Sequence, residues 1–191
     1  MSLNAQQLKR GILGFGVGAI LATVAANPAR GIQLADGTIY FAVPPRLVEA
    51  TTTFKETYSW NAIYYFTLSV PADAGEGLER VTIAQGEGAE RIRYDLEATR
   101  AFGGTRDDLG QEFRLRSATE DREARSISVV FDEPVEPGKM VTIALRPYQN
   151  PRYEGVYLFG VTAFPKGEKA FGQFLGFGRF HFYSSVDARF W

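Results

Sequence analysis

Between Asn150 and Tyr183 the sequence reads NPRYEGVYLFGVTAFPKGEKAFGQFLGFGRFHFY, and this stretch constrains the fold more than any other. Val156 to Phe164 and Phe174 to Tyr183 are apolar runs rich in aromatic and β-branched residues, and the turn formers Pro165-Lys166-Gly167-Glu168-Lys169 separate them. Such a pattern predicts a β-hairpin. In the first run both alternating sets are apolar: Val156, Leu158, Thr162 and Phe164 on one side, Tyr157, Phe159, Val161 and Ala163 on the other. A strand with no face for water is predicted to lie inside a sheet. In the second run Phe174, Phe180 and Phe182 share one predicted face with Gly176 and Gly178, and Gln173, Arg179 and His181 share the other.

Upstream, short strands alternate with turn residues. Thr38 to Val43 ends at Pro44-Pro45, which cannot donate to a ladder. Arg46 to Thr57 alternates as a half-exposed strand, and Ala62 to Val70 presents Tyr64, Phe66, Leu68 and Val70 to a core. Two similar units, Gly75-Glu76-Gly77 before VTIAQ and Gly86-Glu87-Gly88 before IRYDL, read as glycine turns feeding strands. Neither has the spacing or the following helix of a phosphate cradle. Gly103 to Gly110 reads as a loop, Glu112 to Arg116 and Ser126 to Phe131 as strands around the charged turn Thr119 to Arg125, and Met140 to Arg146 as a strand. Past residue 31 nothing sustains helical periodicity over ten positions. The expectation is one all-β domain over residues 30–191, a single antiparallel β-sandwich, Ig-like or related, of about nine or ten strands.

Residues 1–29 read differently. Lys9 and Arg10 precede the apolar stretch Gly11 to Ala26, followed by small residues and a proline, the pattern of a signal-peptide helix cleaved after Ala26 or Ala29. The rival is an uncleaved anchor, but sixteen helical residues extend only about 24 Å against a hydrocarbon core of about 30 Å. No later apolar run reaches spanning length, so membrane contact is expected only through this segment, and only if it is kept.

With no cysteine, disulfides, thiolate metal sites and Cys nucleophiles are excluded. His181 is the one histidine, so a zinc site of His and Cys type cannot be built, and no GxSxG elbow accompanies it. The acids Asp107, Asp108, Glu120, Asp121 and Glu123 lack calcium-loop spacing and interleave with Arg106, Arg122 and Arg125, which reads as solvated ion pairs. No catalytic, cofactor or metal set is therefore expected. A carboxylate pair remains open, because only distance in space would reveal it. The formal charge of −1 disfavours nucleic acid as a partner.

Binding is the remaining candidate. Arg146, Arg152, Tyr153 and Tyr157 flank the Pro147 and Pro151 turns, and Phe171 follows the lysines of the predicted hairpin tip. Arginine with tyrosine is the mixture enriched at contact surfaces. The plainer reading is that the tyrosines cap the sandwich edge.

The segments GIQLADGTIYFAVPPRLVEATTTF (31 to 54), DLEATRAFGGTR (95 to 106), FDEPVEPGKMVTIALRP (131 to 147) and the 150 to 183 stretch together resemble an exported cyanobacterial family known only as a domain of unknown function. The resemblance implies a β-rich protein in the periplasm, the thylakoid lumen or the medium, with no assigned activity. The expected role is a non-enzymatic β-sandwich that binds or supports an unidentified protein or other envelope or lumenal component. The alternatives are a carbohydrate-acting hydrolase using two acids, and a lumenal accessory subunit docking on a membrane complex through its aromatic C-terminal region.

Overall fold

The computed structural model describes residues 32–184, and no helix occurs among them. The signal-peptide reading of residues 1–29 and the terminal Phe190-Trp191 lie outside the described residues. Two short strands, β1 (Ile32–Gln33) and β2 (Ile39–Tyr40), pair with each other. One five-stranded sheet has the order β3 (Arg46–Thr52), β4 (Tyr64–Ser69), β10 (Met140–Pro147), β6 (Tyr94–Thr105), β7 (Asp108–Phe113). The other runs β12 (Gln173–Phe182), β11 (Gly155–Pro165), β5 (Leu78–Glu87), β9 (Ser126–Val135), β8 (Leu115–Asp121). Every neighbouring pair is antiparallel. The two sheets pack face to face as a sandwich.

Twelve strands form, against the nine or ten expected. One difference is β1, which carries no strand signal longer than two residues. The other is the stretch read as a loop at Gly103 to Gly110. It is a hairpin: β6 runs to Thr105, the chain turns at Arg106-Asp107, and β7 returns. After Arg114 the chain crosses to the second sheet as β8, so one expected strand is two. The second glycine unit also differs, since Gly86 and Glu87 continue β5 and the next strand begins only at Tyr94. The eleven-residue spacing is therefore no structural repeat.

The predicted hairpin is present as β11 and β12. Its first strand lies between β12 and β5, so both of its edges are hydrogen-bonded, as the two-sided apolar pattern requires. Tyr157, Phe159, Val161 and Ala163 are buried, and on the other face Phe164 lies 3.8 Å beneath the Arg80 guanidinium carbon. Facing them across the sandwich are Tyr64, Phe66 and Leu68 of β4 and Val141, Ile143 and Leu145 of β10, all fully buried. Ring contacts connect the layers, Tyr64 to Phe180 at 4.8 Å and Phe66 to Phe159 at 5.9 Å, and Phe159 meets Phe180 at 5.0 Å within one sheet. Each such pair adds about 0.5–1.5 kcal/mol beyond its burial.

The face assignment of β12 holds for Phe180 and Phe182 and fails for Phe174. Val161 pairs with Gly176 and Thr162 with Phe174, so Leu175 is an extra residue. One inserted residue reverses the faces beyond it. Phe174 consequently stands on the outer face, 58% exposed. Where the two edge strands β12 and β3 meet, a Cβ on Gly178 would lie 2.5 Å from the Ala50 Cβ. The seam closes only because that position has no side chain.

At the end of the sandwich where β4 begins, buried Asn150 meets two carbonyls of the loop between β3 and β4. Its amide nitrogen Nδ2 donates to the Phe54 carbonyl at 3.0 Å and the Glu56 carbonyl at 2.8 Å, while its Oδ1 accepts the Tyr64 hydroxyl at 2.9 Å. The Asn150 backbone N–H donates to the Ser59 carbonyl. Burial pushes the hydroxyls of Tyr64, Tyr94 and Tyr157 above the usual tyrosine value.

Replacing Asn150 by Ala takes this partner from the Glu56 carbonyl and the Tyr64 hydroxyl and leaves the Phe54 carbonyl with Thr52 Oγ1 alone, and chemical denaturation should show a loss of about 2–4 kcal/mol. Gly178→Ala should cost about 1–3 kcal/mol by crowding the seam. The raised tyrosine hydroxyls also set an alkaline limit. In the unfolded chain tyrosines ionise near pH 10, while the buried ones stay protonated, so the unfolded state releases protons first. Stability should be level through neutral pH and fall above about pH 10, by about 1.4 kcal/mol per pH unit for each of Tyr64 and Tyr94.

Candidate functional site

Three connections converge at the end that Asn150 organises: residues 53–63 between β3 and β4, 88–93 between β5 and β6, and 148–154 between β10 and β11. Each is pinned from below. Buried Gln85 donates to the Glu90 carbonyl at 2.7 Å and accepts the Ile92 amide at 3.0 Å. Tyr58 adopts a left-handed φ of 62°, its N–H donating to the Pro151 carbonyl and its own carbonyl accepting Gln149 Nε2 at 3.2 Å. Gly88 has φ 143°, and the Tyr157 ring stands where its Cβ would be, 2.2 Å away at the nearest atom.

These loops enclose a pocket of about 430 Å³ walled by Trp60, Glu90, Arg91, Arg93, Tyr148 and Arg152. Trp60 is 69% exposed, and Tyr58, Tyr148 and Tyr153 are exposed nearby in the same connections. Glu90 accepts Arg152 Nε at 2.9 Å and the Arg152 backbone N–H, which raises the Arg152 pKa further and keeps it charged. Arg91 pairs with Glu120 at 2.7 Å. Arg93 is exposed and has no ion-pair partner among the described residues. The wall thus carries three guanidinium groups against one carboxylate, flanked by flat aromatic surfaces. Fixed cations beside exposed rings suit a ligand with carboxylates and an apolar or stackable body.

Sequence reasoning located this end through Arg152 and Tyr153 and scattered its other candidates. Tyr157 is no surface residue: it is fully buried, its ring beneath Gly88 and its hydroxyl donating to the Tyr153 carbonyl at 3.0 Å. Its alternation with Phe159 and Val161 already placed it on the core face of β11. Arg146 is exposed on β10 two residues before Tyr148, outside the pocket wall. Phe171 stacks on Tyr40 at 4.6 Å beside the hairpin turn, about 30 Å from Tyr153 along the length of β11. Trp60, Glu90, Arg91, Arg93 and Tyr148 were not anticipated. They come from three separated loops, and the only local signal was an aromatic in a polar stretch at Ser59-Trp60-Asn61.

A second cleft of about 680 Å³ includes Glu112, Asp132, Glu133 and Glu136 in its lining, with Arg114 and Lys139. Glu112 lies 3.5 Å from Arg100, and Asp132 lies 4.0 Å from Arg116. All four acids are exposed. Of the acids read as a calcium alternative, Glu120 pairs with Arg91 and Arg122, Asp107 with Arg106, and Asp121 accepts the amides of Glu123 and Ala124. His181 lies on the outer face of β12, its Nδ1 3.2 Å from the Tyr183 hydroxyl.

Residues 38–182 match the family described as protein of unknown function (DUF2808). No curated protein matches the sequence. Among solved structures, the collagen-binding domain from a Staphylococcus aureus adhesin aligns at 8% identity over 71% of this chain and 95% of that chain, with a TM-score of 0.41. The C-terminal domain of the Streptococcus pyogenes antigen I/II-family protein AspA aligns at 9% identity over 70% of this chain and 46% of that chain, also at 0.41. A cohesin module from a Clostridium perfringens family 33 glycoside hydrolase aligns at 11% identity over 73% of this chain and 97% of that chain, at 0.32. Likeness this distant carries nothing about ligand or activity.

If Gly88 and Tyr157 hold the pocket's loops as described, Gly88→Ala should destabilise the fold by about 1–3 kcal/mol. Hydrogen exchange should quicken at residues 88–93 before it does in the core strands.

Proposed function

The chain belongs to the family described as protein of unknown function (DUF2808), and from that premise we propose that it is an exported binding module without catalytic activity. Its Trp60 end takes a carboxylate-bearing protein or other component of the envelope or thylakoid lumen. Arg93 carries this reading: an exposed guanidinium without an ion-pair partner among the described residues, in a pocket wall that also holds Trp60 and Tyr148. Export is supported by residues 1–29, whose basic, apolar and small-residue order suits a signal peptide. The compartment is the periplasm, the thylakoid lumen or the medium, and cell fractionation with N-terminal sequencing of the isolated protein tests it.

Fluorescence titration of the full chain with polygalacturonate, poly-glutamate and neutral dextran tests the binding reading. Saturable binding to one of the two acidic polymers and not to dextran is expected. Trp60→Ala and Arg93→Ala should each weaken it about ten-fold or more, equivalent to about 1.4 kcal/mol, with the fold unchanged by circular dichroism. Equal response to all three polymers, or variants that bind like the wild type, would overturn it.

The acid-lined cleft favours a second reading, a carbohydrate-acting hydrolase using two of Glu112, Asp132, Glu133 and Glu136. Release of reducing ends from envelope polysaccharide by the full chain, lost in Asp132→Asn or Glu133→Gln, would replace the first reading with this one. A docking role for the aromatic C-terminal region on a membrane complex falls on residues outside those described.

A further inference from the structure

The hairpin turn lies at the opposite end of the sandwich from the Trp60 pocket, and around it a second surface is built on different chemistry. Phe171, Phe174 and Phe177 are all exposed, the last two 58% each, and they follow one another at three-residue intervals from the end of the hairpin turn into edge strand β12. The Phe174 and Phe177 rings meet edge to face at 5.1 Å. They stand over a flat place in the sheet, where Gly160 leaves room for both: a Cβ there would lie 3.1 Å from Phe174 and 3.4 Å from Phe177. Ile32 and Leu34 are exposed as well. They join this surface through β1 and β2, because Ile39 exchanges backbone hydrogen bonds with Lys169 and Phe171. Burying one such side chain is worth about 1.5–3 kcal/mol, so an uncovered row of them marks a contact surface.

Two observations indicate what covers it. First, Lys166, Lys169 and Arg179 border the row, are exposed, and form no ion pair among the described residues. The acids beside them are Glu168, Asp36 and Glu79, whose Oε2 accepts the Gly167 amide at 3.1 Å; Glu79 is already paired with Arg116 at 3.5 Å, so Lys166, Lys169 and Arg179 outnumber the two acids left. Second, the described chain begins at Ile32, only six residues after the apolar run Gly11 to Ala26 ends. Six residues reach about 20 Å at most. While that run sits in a bilayer, before cleavage or permanently, the phenylalanine row lies within reach of the same bilayer's surface.

We propose that the Phe171-Phe174-Phe177 row rests on an anionic lipid surface, the rings entering between headgroups and the three bases meeting lipid phosphates. Aromatic rings bordered by lysine and arginine are the chemistry of interfacial binding, in which apolar burial and attraction to acidic headgroups act together. The domain then lies with its hairpin turn on the membrane and its Trp60 pocket directed away. This surface does not depend on the ligand of that pocket.

Because the chain has no cysteine, single-cysteine labelling tests the proposal directly. Full-length Phe174→Cys, Phe177→Cys and, as a control at the pocket end, Tyr153→Cys would carry an environment-sensitive fluorophore. Each is added to vesicles of phosphatidylcholine alone or with phosphatidylglycerol. The expected result is a blue shift at 174 and 177, but not at 153, quenched by spin-labelled lipid and at least about five-fold stronger with phosphatidylglycerol. Lys166→Glu combined with Lys169→Glu should weaken the phosphatidylglycerol response about ten-fold or more. An aqueous quencher reaching positions 174 and 177 on vesicle-bound protein would overturn the proposal, since the N-terminal run alone would then be holding the chain. A blue shift that grows with protein concentration and needs no vesicles would also overturn it, in favour of a second copy covering the row.

Discussion

A buried carboxamide that satisfies the backbone of a loop is the constraint on which the candidate pocket depends. Asn150 takes up the carbonyls of Phe54, which it shares with Thr52 Oγ1, and Glu56, and the hydroxyl of Tyr64, polar groups gathered at the end of an aromatic core. An unmade hydrogen bond in such a place costs about 1–3 kcal/mol, more than a made one contributes. The loop of residues 53–63 is thereby fixed to the connection of residues 148–154. Trp60 and Tyr148, which have few packing contacts of their own, inherit fixed positions from a residue that never touches solvent.

The same economy governs the hairpin of β11 and β12. Its inner face supplies Tyr157, Phe159, Phe180 and Phe182 to one cluster of rings that joins the two sheets. The single inserted residue at Leu175 then turns the beginning of β12 inside out, so a strand that feeds the core along most of its length presents phenylalanine to the exterior at its start. One strand thus contributes both to cohesion and to an uncovered surface, and a bulge draws the boundary between the two.

What could be read from the residues followed from periodicity. The strand at Ala62 to Val70 showed its core face correctly, as did the two-sided run at Val156 to Phe164, because alternation reports burial directly. The bulge escaped notice since it changes phase without changing composition. Gly103-Gly104 suggested a loop, whereas the two glycines lie in a hairpin, Gly104 packing against the Asp108 carbonyl. The pocket wall was legible only at Arg152, with Tyr153 exposed next to it in the same connection. Its other walls come from residues 60, 90–93 and 148, and nothing in a linear pattern brings these loops together. Tyr157 lies among contact-type residues in sequence, but its alternation with Phe159 and Val161 puts it in the core.

The two ends of the hairpin also determine how the domain would answer to force. Tension drawn between Ile32 and the tip at Trp60 runs nearly parallel to β11, while ladder hydrogen bonds lie across the strands. Trp60 hangs from the first sheet and Ile32 from the hairpin of the second, so the pull would slide one layer along the other and load the packing between them, without unzipping either ladder. The weak link sits before that resistance begins: β1 and β2 are two residues each, and β2 is moored to the hairpin by the Ile39 bonds to Lys169 and Phe171. A sudden tug would strip that short ribbon first and lengthen the leash by a few residues, leaving the sandwich intact as a shock absorber would leave its frame.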